Sequence, residues 1–119
     1  MFDEVIHIDN FILRRVTRDD ASSVYSNWTN DPEVTKYLIW KPHKNINDTY
    51  EWIEICDQGW NSKESFSWII CLINSNEPIG SFAARIKGHM VDVGYGLSKR
   101  YWGQGIIEEL TILINLLIT

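Results

Sequence analysis

Val93-Gly94-Tyr95-Gly96-Leu97-Ser98-Lys99-Arg100-Tyr101-Trp102-Gly103-Gln104-Gly105-Ile106-Ile107-Glu108-Glu109 is the stretch on which the reading of this chain turns. Its first part predicts a strand ending near Leu97. A tight turn rich in glycine and basic residues follows, and from Gly103 a helix begins. Such an order builds an anion site. The first N–H groups of a helix have no intrahelical partner, the helix dipole adds partial positive charge there, and glycines let a pyrophosphate come close to the main chain. Two common phosphate cradles do not match. A P-loop needs Gly-Lys-Ser/Thr, whereas Gly105 is followed by Ile106-Ile107. A dinucleotide fingerprint needs a third glycine where Glu108 stands, and a βαβ unit around it. A glycine-rich turn ahead of a core helix is the plainer alternative.

Working back toward the N-terminus, three apolar-rich runs predict strands at 65–73, 79–86 and 90–97, joined by the short turns Asn74–Pro78 and Lys87–His89. Connections this short imply an antiparallel meander. Phe11–Val16 predicts the first strand after a polar lead, stopped by Thr17-Arg18-Asp19-Asp20, which reads as a helix start. Ala21, Val24, Tyr25 and Trp28 continue that helix to about Asn30-Asp31-Pro32, with a short restart at Pro32–Val34. Asn47 or Asp48 caps a second helix whose apolar side is Tyr50, Ile53, Ile55, Cys56 and Trp60, ending near Gly59. The final helix carries Ile106, Ile107, Leu110, Leu113, Ile114 and Leu117 on one face. Ile112, Leu116 and Ile118 lie off that face, so it is apolar nearly all round. With no C-cap in its last turn, it reads as a chain stopping inside a fold. The predicted order is β-α-α-β-β-β-α, an α/β (α+β) domain over 1–119 with no repeat or linker.

Composition bounds the function. The 119 residues carry 11 Lys and Arg against 16 Asp and Glu, a net charge of −5, with no basic run. Nucleic acid and membrane surfaces are therefore not expected as partners. The opening MFDEVIHIDN lacks the basic start of a secretory signal, and no apolar run approaches a membrane span, so a cytoplasmic protein is expected. Cys56 and Cys71 read as two free buried thiols, and no His spacing suggests a metal.

Arg100-x-x-Gly103-x-Gly105 resembles the (Q/R)-x-x-G-x-(G/A) acetyl-coenzyme A signature of the GNAT superfamily of N-acetyltransferases. The surroundings agree. Gly94-Tyr95-Gly96-Leu97-Ser98, Tyr101-Trp102-Gly103-Gln104-Gly105 with Glu109, Phe11–Arg14, Trp28–Val34 and Ile79-Gly80-Ser81 resemble the branch that includes the ribosomal-protein alanine N-acetyltransferases. Glu108 and Leu110 depart from that pattern, and so does length, because the family's fold continues past the signature helix. The expectation is thus a partial, truncated GNAT-like domain. The resemblance implies acetyl transfer from acetyl-CoA, as co-substrate and with no metal, to an amine of a peptide N-terminus or small molecule. Arg100, Tyr101, Trp102, Gly103, Gln104, Gly105 and Ile106 would surround the pyrophosphate. Tyr95, Gly96, Leu97 and Ser98 would hold pantetheine, with Gly94 and Gly96 permitting a bulge that opens the strand edge.

Asp92 is the candidate catalytic base, or else a solvated strand carboxylate. Trp28 and Trp40 border the implied acceptor site, or else pack the core. His43 reads as a solvated loop residue. The alternative to an enzyme is a catalytically impaired coenzyme-A-binding or dimerisation module, a homodimer completing the sheet or covering the last helix.

Overall fold

The computed structural model describes residues 2–36 and 41–118. Five strands form one antiparallel sheet in chain order: β1 Val5–Ile8, β2 Phe11–Arg14, β3 Ser65–Leu72, β4 Pro78–Lys87 and β5 Met90–Leu97. The helices are α1 Ala21–Val24, α2 Pro32–Thr35, α3 Ile46–Ser62 and α4 Ile106–Ile118. The predicted meander is present with bounds shifted by one residue or less. The sheet has one strand more than expected. The lead into Phe11 folds back through an Asp9-Asn10 turn, Asp9 taking φ +48, and pairs Val5–Ile8 with Phe11–Arg14. β5 is therefore the fourth strand of the sequence reading.

The helical segments start where short polar side chains satisfy open N–H groups. Asn45 Oδ1 accepts from the N–H groups of Asn47 and Asp48, and Asp31 Oδ1 accepts from that of Glu33 ahead of Pro32. A 3₁₀ turn, Arg18–Asp20, leads into α1. After α1 the chain widens into a π turn, Tyr25–Thr29, closed by the Asn30 N–H donating to the Tyr25 carbonyl at 3.3 Å. α3 runs three residues past Gly59 and ends on Lys63 in the left-handed conformation. Ile55, expected on its apolar side, is 64% exposed.

Each face of the sheet carries its own core. Because strand side chains alternate, Ile70 and Ile69 point to opposite faces. Leu13, Phe66, Trp68, Ile70, Phe82 and Leu97 pack with Ile106 and Leu110 of α4. On the other face Ile69 and Cys71 pack with Val24, Trp28, Ile53 and Cys56. Fully burying each such aliphatic or aromatic side chain stabilises the fold by about 1.5–3 kcal/mol. Along α4, Ile106 and Leu110 are buried, Ile107 and Leu113 half-buried, and Ile112 and Leu116 exposed, as the helical spacing predicts. Tyr37, Leu38 and Trp40, and the side chains of Ile114, Leu117 and Ile118, lie outside the described residues.

Candidate active site

The end of β5 and the start of α4 are tied together by backbone bonds. The Ser98 N–H donates to the Ile79 carbonyl at 2.8 Å, which keeps the chain on β4 one residue past the strand. A 3₁₀ turn over Lys99–Tyr101 reverses it, and the Trp102 ring N–H donates to the Leu97 carbonyl at 2.7 Å. Gly103 and Gly105 then take φ +78 and +77, a conformation that costs other residues about 1–2 kcal/mol. Among the described residues, nothing beyond the chain neighbours lies within 4 Å of where a Cβ would stand on either, so backbone conformation and not crowding asks for glycine. The Glu109 N–H makes the first helical bond, to the Gly105 carbonyl at 3.1 Å. The N–H groups of Gly105, Ile106, Ile107 and Glu108 accordingly have no intrahelical acceptor, and they stand at the positive end of α4.

β5 is an edge strand. Its register against β4 is unbroken from Gly80↔Leu97 to Lys87↔Met90, so the bulge expected at Gly94 and Gly96 is not formed; a register shift lies instead at Ile70/Cys71 of β3. Ser98 opposite Ile79 is a hydrogen-bonded pair, and antiparallel pairs alternate. Gly96, Gly94 and Asp92 therefore bond inward to β4, while the main-chain groups of Leu97, Tyr95 and Val93 face the open edge. A glycine-free strand can present that edge equally well, which is why no bulge is needed to expose it.

Two cavities meet on this strand. One, about 440 Å³, is lined by β5 from Val93 to Leu97, the turn from Tyr101 to Gly105 and the first turn of α4. Of the residues expected to hold coenzyme A, Tyr95, Gly96, Leu97, Tyr101, Trp102, Gly103, Gln104, Gly105 and Ile106 are on its wall. Ser98 is buried against β4, and Arg100 is exposed outside the wall, its carbonyl accepting from Gln104 Nε2 at 3.3 Å. Glu33, Val34, Ile107 and Glu108 complete the lining. Glu33 comes from α2 and is neutralised by Lys99 at 2.7 Å; beside it the Lys99 ammonium is held above its ordinary range. That long-range pairing has no signature in local sequence.

The second cavity, about 1080 Å³, lies between α3 with its preceding loop and the face of β4 and β5 that carries Ser81, Ala83, Arg85, Asp92 and Gly94. It shares Val93, Gly94 and Tyr95 with the first. Asp92 is on its wall, paired with Arg85 at 3.3 Å. Trp28 is on neither wall. It is buried in the core between α3 and the sheet, and its ring N–H has no hydrogen-bond partner among the described residues. Trp40 lies outside the described residues.

His43, read from sequence as a solvated loop residue, is instead half-buried on the wall of the larger cavity. Its backbone N–H donates to the Thr29 carbonyl at 2.8 Å, and its Nδ1 is 2.8 Å from Thr49 Oγ1. Burial pushes its pKa below the ordinary histidine value of 6.5, and Asp48 opposes only part of that shift, so the ring is neutral at neutral pH. Cys56 and Cys71 are free and buried, their thiols pushed up to about 12 and about 11 by desolvation, and are not nucleophiles at neutral pH.

Comparison with known proteins follows the same residues. The family model for the acetyltransferase (GNAT) domain matches residues 10–114. The chain is 24% identical over 109 residues to the uncharacterised N-acetyltransferase p20 of Bacillus licheniformis, a match covering 89% of this chain and 61% of that protein. The chain thus spans about three-fifths of the length of the curated relatives it matches. Among solved structures, a candidate ribosomal-protein-serine acetyltransferase from Vibrio cholerae superposes with a TM-score of 0.83 at 18% identity, over 98% of this chain and 67% of that one. The microcin C7 self-immunity acetyltransferase, solved with acetyl-CoA and AMP, superposes at 0.72 with 20% identity, over 84% of this chain and 57% of that one.

Proposed function

The chain belongs to the acetyltransferase (GNAT) domain family, and from that premise we propose that it transfers the acetyl group of acetyl-CoA to an amine of a peptide N-terminus or small molecule. The observation that carries the reading is the meeting of the two cavities at Val93, Gly94 and Tyr95. A thioester donor along β5 and an amine in the larger cavity would there approach the same three residues. That the microcin C7 self-immunity enzyme was solved with acetyl-CoA supports this choice of donor.

In this reading the open N–H groups at the start of α4 take the pyrophosphate, with Gly103 and Gly105 keeping the main chain bare for it. The outward main-chain groups of Val93 and Tyr95 pair with the donor's extended arm as an added strand would. An outward N–H there also suits the thioester oxygen as it gains negative charge. The amine nitrogen attacks the carbonyl carbon, the C–S bond breaks, and the sulfur leaves with its electron pair. Asp92 is a candidate to hold the amine as a cation before transfer, although Arg85 competes for it.

Amine-dependent release of coenzyme A thiol by the purified chain tests the proposal. Release that saturates in both acetyl-CoA and amine is expected; saturable acetyl-CoA binding with no release over a broad amine set would contradict it. That second result would favour a coenzyme-A-binding module that associates through the open edge of β5 and the exposed Ile112 and Leu116 of α4. Sedimentation equilibrium then decides whether a homodimer forms. Among the described residues no helix is long and apolar enough to cross a membrane, and we place the activity in the cytoplasm.

A further inference from the structure

The larger cavity is open because its floor is built of short side chains. The pairings Ser67↔Ala83 and Ala83↔Gly94 set a serine, an alanine and a glycine side by side across β3, β4 and β5. The next row on that face, Ser65↔Arg85↔Asp92, stands about 7 Å along the strands. Arg85 leans back over the gap: its Nη2 lies 3.8 Å from where a Cβ on Gly94 would stand. That is an ordinary contact distance, and Gly94 has no positive φ, so neither crowding by the described residues nor backbone conformation asks for glycine. A glycine inside a strand costs stability and marks a place where another group comes close to the main chain. Gly94 is also one of the three residues common to both cavities. A guanidinium therefore overhangs the spot where donor and amine would meet.

Among the described residues Arg85 makes one hydrogen bond, from Nη2 to Asp92 Oδ2 at 3.3 Å, and its buried Nε–H has no acceptor. The two side chains are 33% and 52% exposed, and a lone contact of this length between part-exposed charges contributes little to the fold. A carboxylate entering the cavity can join or replace it, since a guanidinium offers paired N–H donors that match the two oxygens. Charge then selects the acceptor. A simple ammonium placed over Gly94 stands against a cation. An acceptor with a carboxylate beside its amine turns that repulsion into attraction, its carboxylate on Arg85 and its ammonium on Asp92. Because Arg85 and Asp92 are cross-strand neighbours, those two acceptor charges have to be close together, as they are in an α-amino acid. A peptide N-terminus carries a neutral amide at that place.

We propose that the acceptor is a free α-amino acid and that Arg85 binds its carboxylate, with the bare Gly94 leaving room for the amine at the junction of the two cavities. This rests on the acetyl-transfer reading above and narrows its acceptor. The ammonium gives one proton to solvent and becomes the attacking amine. The N–C bond forms as the C–S bond breaks, and the second nitrogen proton goes to the departing thiolate. The product is an N-acetyl amino acid. Its nitrogen is neutral, so it loses the attraction to Asp92 and keeps only the hold of Arg85, which favours release.

The test measures coenzyme A release with L-alanine, L-alanine amide and trialanine amide as acceptors. In the wild-type chain kcat/KM for alanine is expected to exceed that for either amide by about tenfold or more, the range of a charge-assisted hydrogen bond. Basicity works the other way, since the amine of the amide is the less basic and more of it is unprotonated. Arg85→Met should lower kcat/KM for alanine and bring the ratio of alanine to alanine amide to about one, and Arg85→Lys should keep part of the preference. Damage to the fold or to donor binding lowers both acceptors together and leaves that ratio where it was, so the ratio reads the carboxylate contact. Gly94→Ala should melt no lower than wild type and lower kcat/KM for alanine; wild-type turnover there would overturn the placing of the amine over Gly94. A wild-type chain that prefers either amide to alanine, or an Arg85→Met ratio equal to that of wild type, would overturn the amino-acid assignment alone. A wild-type chain that releases no coenzyme A with any of the three would overturn the acetyl-transfer reading, and this proposal with it.

Discussion

Arg14 and Asp20 show how single side chains fix the approach to the helical layer. The guanidinium grips the carboxylate through two bonds of 2.8 Å, and Asp20 also accepts from the Thr17 N–H at 2.8 Å and from its hydroxyl at 3.1 Å. Burial by itself would raise the Asp20 pKa, but the bonds from Arg14 and Thr17 outweigh it and hold the carboxyl below its ordinary 3.8. A carboxyl lowered in the folded state stabilises the fold above its unfolded value, and that stability is lost as pH falls through the folded one. Asp20→Asn should therefore cost about 3 kcal/mol at pH 7, since it leaves a part-buried guanidinium unpaired. The gap to wild type should narrow as pH drops from 4 toward 2. Urea melts at pH 7 and pH 3 check this; an equal loss at both would contradict the assigned ion pair.

At the scale of elements, β4 and β5 touch so closely at Gly80 that a side chain has no room. A Cβ there would stand 2.5 Å from the Gly96 carbonyl oxygen and 2.9 Å from Leu97 Cδ1. The first of these is backbone and cannot rotate away. Gly80→Ala should cost about 2 kcal/mol or more and push β5 off register at the strand end that feeds the cradle, weakening acetyl-CoA binding in a chain that is still folded. Circular dichroism with calorimetric titration of this variant would show both effects; unchanged binding would mean that β5 does not set the donor site.

Elements with a local cause are legible in the sequence. The meander followed from apolar-rich runs and short turns, and the glycine turn ahead of α4 from Gly103 and Gly105 before an apolar helix. β1 escaped because four residues of half-exposed alternation carry little signal, although Asp9-Asn10 is a turn pair. The π turn and the His43–Thr49–Thr29 chain escaped because they join residues 14 and 20 positions apart across a helix packing that periodicity does not encode. Trp28 could be read as core or site from sequence, and only its burial against Ile69 and Ile53 separates the two. Lys99 reaching Glu33 is equally invisible locally.

The whole molecule is a sheet with a core on each face, and β3 is where the two are joined. Ile69 and Ile70 are both fully buried, one in each core. Ile69→Val and Ile70→Val should each cost about 1 kcal/mol, and the double variant about their sum, because the two side chains sit in separate core clusters. Near-ultraviolet and far-ultraviolet melts should coincide in all three variants. Separate transitions would mean that the cores unfold independently and that β3 does not couple them.

Both cavities depend on that coupling, since α3 and its loop stand on one core and α4 on the other, with β5 between them. Calorimetric titration of the folded chain with acetyl-CoA, beside the Gly105→Val variant, tests most directly whether the β5–α4 junction is a donor site. Saturable binding by wild type, weakened at least tenfold by Gly105→Val, is the predicted result. A folded wild-type chain that takes up no acetyl-CoA, or a variant that binds as wild type does, would contradict it.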